Sequence, residues 1–82
     1  MKIKILGTSG VKSQQLERII RGVVKELGID AEIEEVKDFN NIMEYPILTI
    51  PGLVIDEKLV CSGRVPTRAE VNRFVTTELK RE

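Results

Sequence analysis

The strongest constraint in this chain is a change of apolar period. Lys2-Ile3-Lys4-Ile5-Leu6 alternates polar and apolar residues, the two-residue repeat of a short strand with unlike faces. Gly7-Thr8-Ser9-Gly10 interrupts it as a loop, two glycines and two hydroxyls in succession. From Ser13 to Leu27 the repeat lengthens. Leu16, Ile19, Ile20, Val23, Val24 and Leu27 fall at spacings of three and four and form one apolar stripe on a helix, with Glu17, Arg18, Arg21, Lys25 and Glu26 off it. Gly28 follows the last apolar residue, where a left-handed C-cap belongs. A strand feeding such a helix predicts a second, parallel strand reached by a right-handed crossover.

The remaining segments fill in that plan. In Asp30–Val36, Ala31 and Ile33 alternate with Glu32 and Glu34, which predicts a strand with one wet face. Asp38 is placed to cap a short helix through Phe39, Ile42 and Met43 that ends before Pro46. Val36, Phe39, Ile42 and Met43 read as ordinary core. The stretch from Ile47 to Ile55, with Pro51 and Gly52 inside it, holds a buried strand. Asp56-Glu57-Lys58 reads as a hairpin turn and Leu59–Ser62 as the returning antiparallel strand, which Gly63 ends. Thr67-Arg68-Ala69-Glu70 has the form of a capping box, opening a helix that carries Val71, Phe74, Val75 and Leu79. The element order is β-α-β-α-β-β-α: an α/β fold with a four-stranded mixed sheet and about three helices covering both faces. The 82 residues suit one domain, 1–82.

Composition removes several classes of function. Lys plus Arg and Asp plus Glu number 13 each, so no basic excess points to nucleic acid. There is no histidine, which removes imidazole bases, Ser-His or Cys-His pairs and histidine metal ligands. Cys61 is the only cysteine, so the chain can form no internal disulfide and no cysteine cluster for zinc. No apolar run approaches a membrane span or a signal peptide, and a cytoplasmic protein without membrane association is expected. No cofactor or metal site is expected. The acidic run Glu32, Glu34, Glu35 and Asp38 reads as a solvated face rather than a cation site.

Three stretches carry a resemblance: Lys4-Ile5-Leu6-Gly7-Thr8 before an amphipathic helix, Thr49-Ile50-Pro51-Gly52-Leu53, and Ser62-Gly63-Arg64-Val65-Pro66-Thr67 opening the last helix. In order and spacing the chain resembles the very small thioredoxin-like and glutaredoxin-like proteins of archaea and bacteria, the redox-active disulfide family. The resemblance implies a thioredoxin-like fold. It implies a cis peptide before Pro51 and a Cys-x-x-Cys in the loop after the first strand. Aligned on Gly7-Thr8, the two cysteine positions fall on Gly10 and Ser13, with Val11-Lys12 between them. Glycine offers no nucleophile, and a serine hydroxyl without a base is a poor one. Dithiol exchange by the family's mechanism is therefore not expected.

What the resemblance leaves is a setting. Gly10, Val11, Lys12, Ser13, Ile50 and Pro51 are expected to border a groove for a peptide or protein partner. Glutaredoxins hold glutathione with the segment before the cis proline and the start of the last helix, here Ile50-Pro51 and Ser62-Gly63-Arg64, so glutathione is an alternative ligand and Arg64 is placed to meet a carboxylate. Gly10, Lys12 and Ser13 at a helix N-terminus could also hold a small anion; the plainer reading is that Ser9 or Ser13 caps the helix and Lys12 is solvated. The nucleotide-loop reading of Gly7–Ser13 fails on spacing, since two residues rather than four separate the glycines. Cys61 reads as a small, partly apolar strand residue, with a reactive thiol near Gly63 and Arg64 as the alternative. A structural or oligomer-forming role is the third possibility.

Overall fold

The computed structural model describes residues 1–7 and 10–81. The elements are β1 (Lys2–Leu6), α1 (Val11–Leu27), β2 (Glu32–Val36), α2 (Phe39–Ile42), β3 (Gly52–Ile55), β4 (Lys58–Ser62) and α3 (Arg68–Lys80). The four strands form one mixed sheet in the order β2-β1-β3-β4, with β1 parallel to β2 and antiparallel to β3, and β3 antiparallel to β4.

Local chemistry accounts for most boundaries. Gly28 closes α1 in the left-handed region at φ 65°, and its N–H and that of Ile29 satisfy the Lys25 and Val24 carbonyls. The Asp38 carboxylate accepts the Asn40 N–H and starts α2. Thr67 and Glu70 form a reciprocal capping box at the head of α3. Asp56 and Glu57 join β3 to β4 with φ of 48° and 69°, the two positive values that a tight two-residue hairpin loop needs to match strand twist.

The period-two pattern of β1 divides the molecule. Ile3 and Ile5 point to one face, where Leu16, Ile20 and Val23 of α1, Leu53 and Ile55 of β3, and Val71 and Val75 of α3 close the main core. Leu6 points to the other face and meets Ile42, Ile47 and Val54 in a smaller cluster under α2. Lys4 shares that second face. Its ammonium donates to Tyr45 Oη at 2.8 Å and pairs with Glu57 at 2.7 Å, so the polar group is hydrogen-bonded where an apolar residue would otherwise sit.

Three expectations change. Helix α1 begins at Val11, not Ser13, with Gly10 as its N-cap and no side-chain cap; Ser13 lies inside the first turn and is buried, and Ser9 lies outside the described residues. The segment Ile47–Ile50 is not strand: only Gly52–Ile55 pairs. Pro46 and Pro51 bracket it without N–H donors, Ile47 turns inward, and Leu48 is fully exposed at 101%. Phe39 and Met43 are not core: they are 71% and 56% exposed, because a four-residue helix has room to bury only its Ile42 side.

Candidate functional site: the groove at the head of α1

The register of β1 against β3 builds the site. Leu6 pairs with Gly52, so the end of β1 and the start of β3 lie side by side. The chain leaving β1 turns into α1, and the chain entering β3 arrives through Pro51. Those two approaches meet. Gly10, Val11, Lys12 and Ser13 line a recess of about 240 Å³ together with Ile50 and Pro51. Gly7 forms its back: a Cβ there would come 3.2 Å from Ser13 Oγ and 3.7 Å from both Ile50 Cβ and Pro51 Cα. The Ile50–Pro51 peptide is cis.

Residues 48–50 have an unusual backbone state. The Pro51 carbonyl accepts the Gly63 N–H at 2.9 Å, but no N–H or C=O of Leu48, Thr49 or Ile50 bonds to a described residue. Their polar groups stay satisfied only by facing solvent or an incoming chain. Lys12 is exposed and has no ion-pair or hydrogen-bond partner among the described residues.

Gly63 and Arg64 stand differently. Gly63 touches the groove from behind through its bond to Pro51, in the left-handed region at φ 83° that ends β4. Arg64 does not line the recess. Its guanidinium is engaged within the chain, with Nη1 at 2.8 Å from Glu70 Oε1 and Nη2 at 2.6 Å from Oε2. This two-pronged pair, helped by the Thr67 N–H, pulls the Glu70 carboxyl down to about 2, and Glu70 in turn raises Arg64, with a smaller contribution from Cys61. An incoming carboxylate at Arg64 would compete with a partner already in place.

Cys61 pairs with Leu53 in the sheet, is half-buried, and packs against the main core. It does not line the groove. No group of three or more acidic or cysteine ligands that could hold a metal occurs among the described residues. The acidic run is engaged locally: Glu34 pairs with Lys2 at 3.6 Å, Glu35 with Lys37 at 3.5 Å, and Asp38 caps α2.

Beside the groove lies a feature that sequence reasoning missed. A recess of about 340 Å³ opens between α2 and the segment before Pro51, walled by Phe39, Met43, Leu48 and Ile50 and floored by Ile42 and Ile47. The signal was present in the paired prolines around Ile47–Ile50 and the brevity of α2, both of which limit how many apolar side chains that region can bury.

A helix N-terminus set against a proline-bearing segment, on a sheet of order β2-β1-β3-β4, defines a thioredoxin-like protein. Residues 1–76 match the thioredoxin domain family, and the chain belongs to it. It is 42% identical over 76 residues to a protein named thioredoxin from Methanothermobacter thermautotrophicus, an alignment covering 93% of this chain and 99% of that relative. A protein of the same name from Methanocaldococcus jannaschii is 37% identical over 78 residues, covering 95% of this chain and 90% of the other.

Proposed function

We propose that this chain is a redox-silent thioredoxin-like binding module that holds an extended peptide or protein segment in the groove between the head of α1 and Ile50-Pro51, in the cytoplasm. The observation that carries this reading is the unpaired backbone at 48–50 beside that groove. An extended chain laid there gains main-chain hydrogen bonds with little rearrangement, the strand-addition mode of peptide recognition. Lys12 and the free amides of the first turn of α1 favour a ligand that brings negative charge, such as a carboxylate or a small anion.

A second reading draws on the two relatives named thioredoxin. It gives this chain thiol chemistry or glutathione binding, with Cys61 as the thiol. Its support is the name and the nearby Arg64. Against it, exchange that closes an internal disulfide needs two thiols and the chain has one.

An insulin-reduction assay with dithiothreitol as reductant separates the two. The redox-silent reading expects no rate above reductant alone; sustained turnover would overturn it. The paired change Gly10→Cys with Ser13→Cys should create a reducible disulfide and restore turnover, because position 10 is the N-cap, where helix amides favour a thiolate. Titration of the native chain with extended peptides should move the amide resonances of Ile50, Val11 and Lys12; peptides that bind without moving them would place binding elsewhere.

A further inference from the structure

Resting on that peptide-binding reading, we infer that the recess between α2 and residues 47–50 is the side-chain subsite of the groove, and that it takes a bulky apolar residue of an extended, acid-flanked segment of another protein.

The first support is where the exposed apolar surface lies. The large hydrophobic side chains that stand exposed are Val11, Phe39, Met43, Leu48 and Ile50. Each of them lines the groove at α1 or the recess beside it, and Ile50 lines both. Single exposed apolar residues are common on protein surfaces, but they are ordinarily scattered. Here the exposed ones gather around one opening while the described residues bury a full core elsewhere. Leu48 is the extreme case, a wholly exposed leucine on a segment whose backbone is also unpaired.

The second support is geometric. A ligand strand paired along residues 48–50 sends alternate side chains toward and away from the protein. A residue directed toward the protein next to Ile50 enters a space of about 340 Å³ floored by Ile42 and Ile47, large enough for an aromatic or branched aliphatic group. The third is charge. Lys12 and Lys37 are the charged residues lining the two openings, and no carboxylate lines either. Lys37 shares its charge with Glu35, whereas Lys12 has no partner among the described residues. A ligand with carboxylates flanking its apolar residue meets both lysines. A second copy of this chain presenting the same patch would bring lysine to lysine with no acid to answer it.

Pools of fluorescein-labelled nonapeptides test this by anisotropy. One pool has Leu, Ile, Phe or Met at its centre and Asp or Glu flanks, one has the same centre with Lys or Arg flanks, and one has a Ser or Thr centre with acidic flanks. The first pool should bind best. Leu48→Asp should weaken it about tenfold or more, as for a central interface residue. Leu48 is wholly exposed, so that variant should unfold at the native temperature. Lys12→Glu should weaken the first pool and favour the basic-flanked one. Amide shifts should appear at Phe39, Met43 and Leu48 together with Ile50. If peptides move Ile50 and Val11 but Leu48→Asp leaves their affinity unchanged, the subsite is wrong while the groove stands. If no pool moves any groove amide, both readings fall. If the chain self-associates in sedimentation and Leu48→Asp abolishes that, the occupant is a second copy and the inference is overturned.

Discussion

The two faces of the sheet are built to different standards. Under α1 and α3, nine buried side chains from β1, β3 and both helices interlock, and partly buried residues such as Phe74, Leu79 and Cys61 seal the edges. Under α2, four buried side chains suffice, and a lysine occupies the middle of β1. The same strands supply both faces, so the difference comes from what covers them. Helix α1 has 17 residues and α3 has 13, long enough to lay a continuous stripe on the sheet. Helix α2 has four and ends in an irregular segment between two prolines. The thick face carries the stability of the fold. The thin face leaves apolar surface and backbone polar groups unspent, and those are the materials of a binding site.

The largest test of that contrast compares truncations on the two sides. Ile20→Ala in the main core should cost about 2–5 kcal/mol and unfold much of the population at moderate temperature. Leu48→Ala should stay within about 0.5 kcal/mol of the native chain, since its side chain touches little. Urea unfolding of both variants checks the pair, and equal losses would break the comparison.

Next in size is the close packing within the thin face. A Cβ at Gly52 would strike the Ile47 Cδ1 methyl and stand 3.4 Å from Leu6. Gly52→Ala should destabilise by about 1–3 kcal/mol through overpacking. Adding Ile47→Ala makes room, so the double variant should be less destabilised than the sum of the singles. Additive losses would mean that Ile47 does not seat on Gly52.

A smaller effect is expected from the polar cluster that replaces core on this side. Tyr45 accepts from Lys4 and donates to Glu57 at 3.2 Å. Tyr45→Phe keeps the ring and the Lys4–Glu57 pair, and should cost about 0.5–1.5 kcal/mol in thermal or urea unfolding. A neutral result would reduce the cluster to a solvated surface arrangement.

The smallest effect belongs to the head of α3 on the thick side. The folded Glu70 carboxyl titrates near 2 against an ordinary 4.5, chiefly because of Arg64. A depressed carboxyl contributes stability above its unfolded pKa and loses it as pH falls toward its folded one. The melting temperature of the native chain should therefore decline between pH 4.5 and 2 more steeply than that of Glu70→Gln, by a modest margin because the pair is exposed. Parallel pH profiles would remove Glu70 from the acid response.

The sequence carried the thick face almost completely. Periods of two and 3.6 residues, the Gly28 cap and the Thr67–Glu70 box are local signals, and here local preference agrees with the final packing. It carried the groove as well, but only by way of family spacing. Nothing near Gly10–Ser13 in the chain announces Ile50 and Pro51. Leu6 pairing with Gly52 across the sheet is what brings them together.

The thin face was misread for a physical reason. Apolar residues such as Phe39, Met43 and Leu48 look the same in sequence whether they are buried or exposed. Which of them is covered depends on how much surface the neighbouring elements can reach, and a four-residue helix between strands reaches little. Arg64 is a similar case. Its charge was legible as a carboxylate partner, but only the turn that brings Gly63 against Pro51 and starts α3 at Thr67 shows that the carboxylate is the chain's own Glu70. The sequence alone determined the elements, the order in which they follow one another and the absence of a second thiol. The tertiary structure decided which apolar side chains remain available, because burial is a property of the assembled surfaces and not of the residues that compose them.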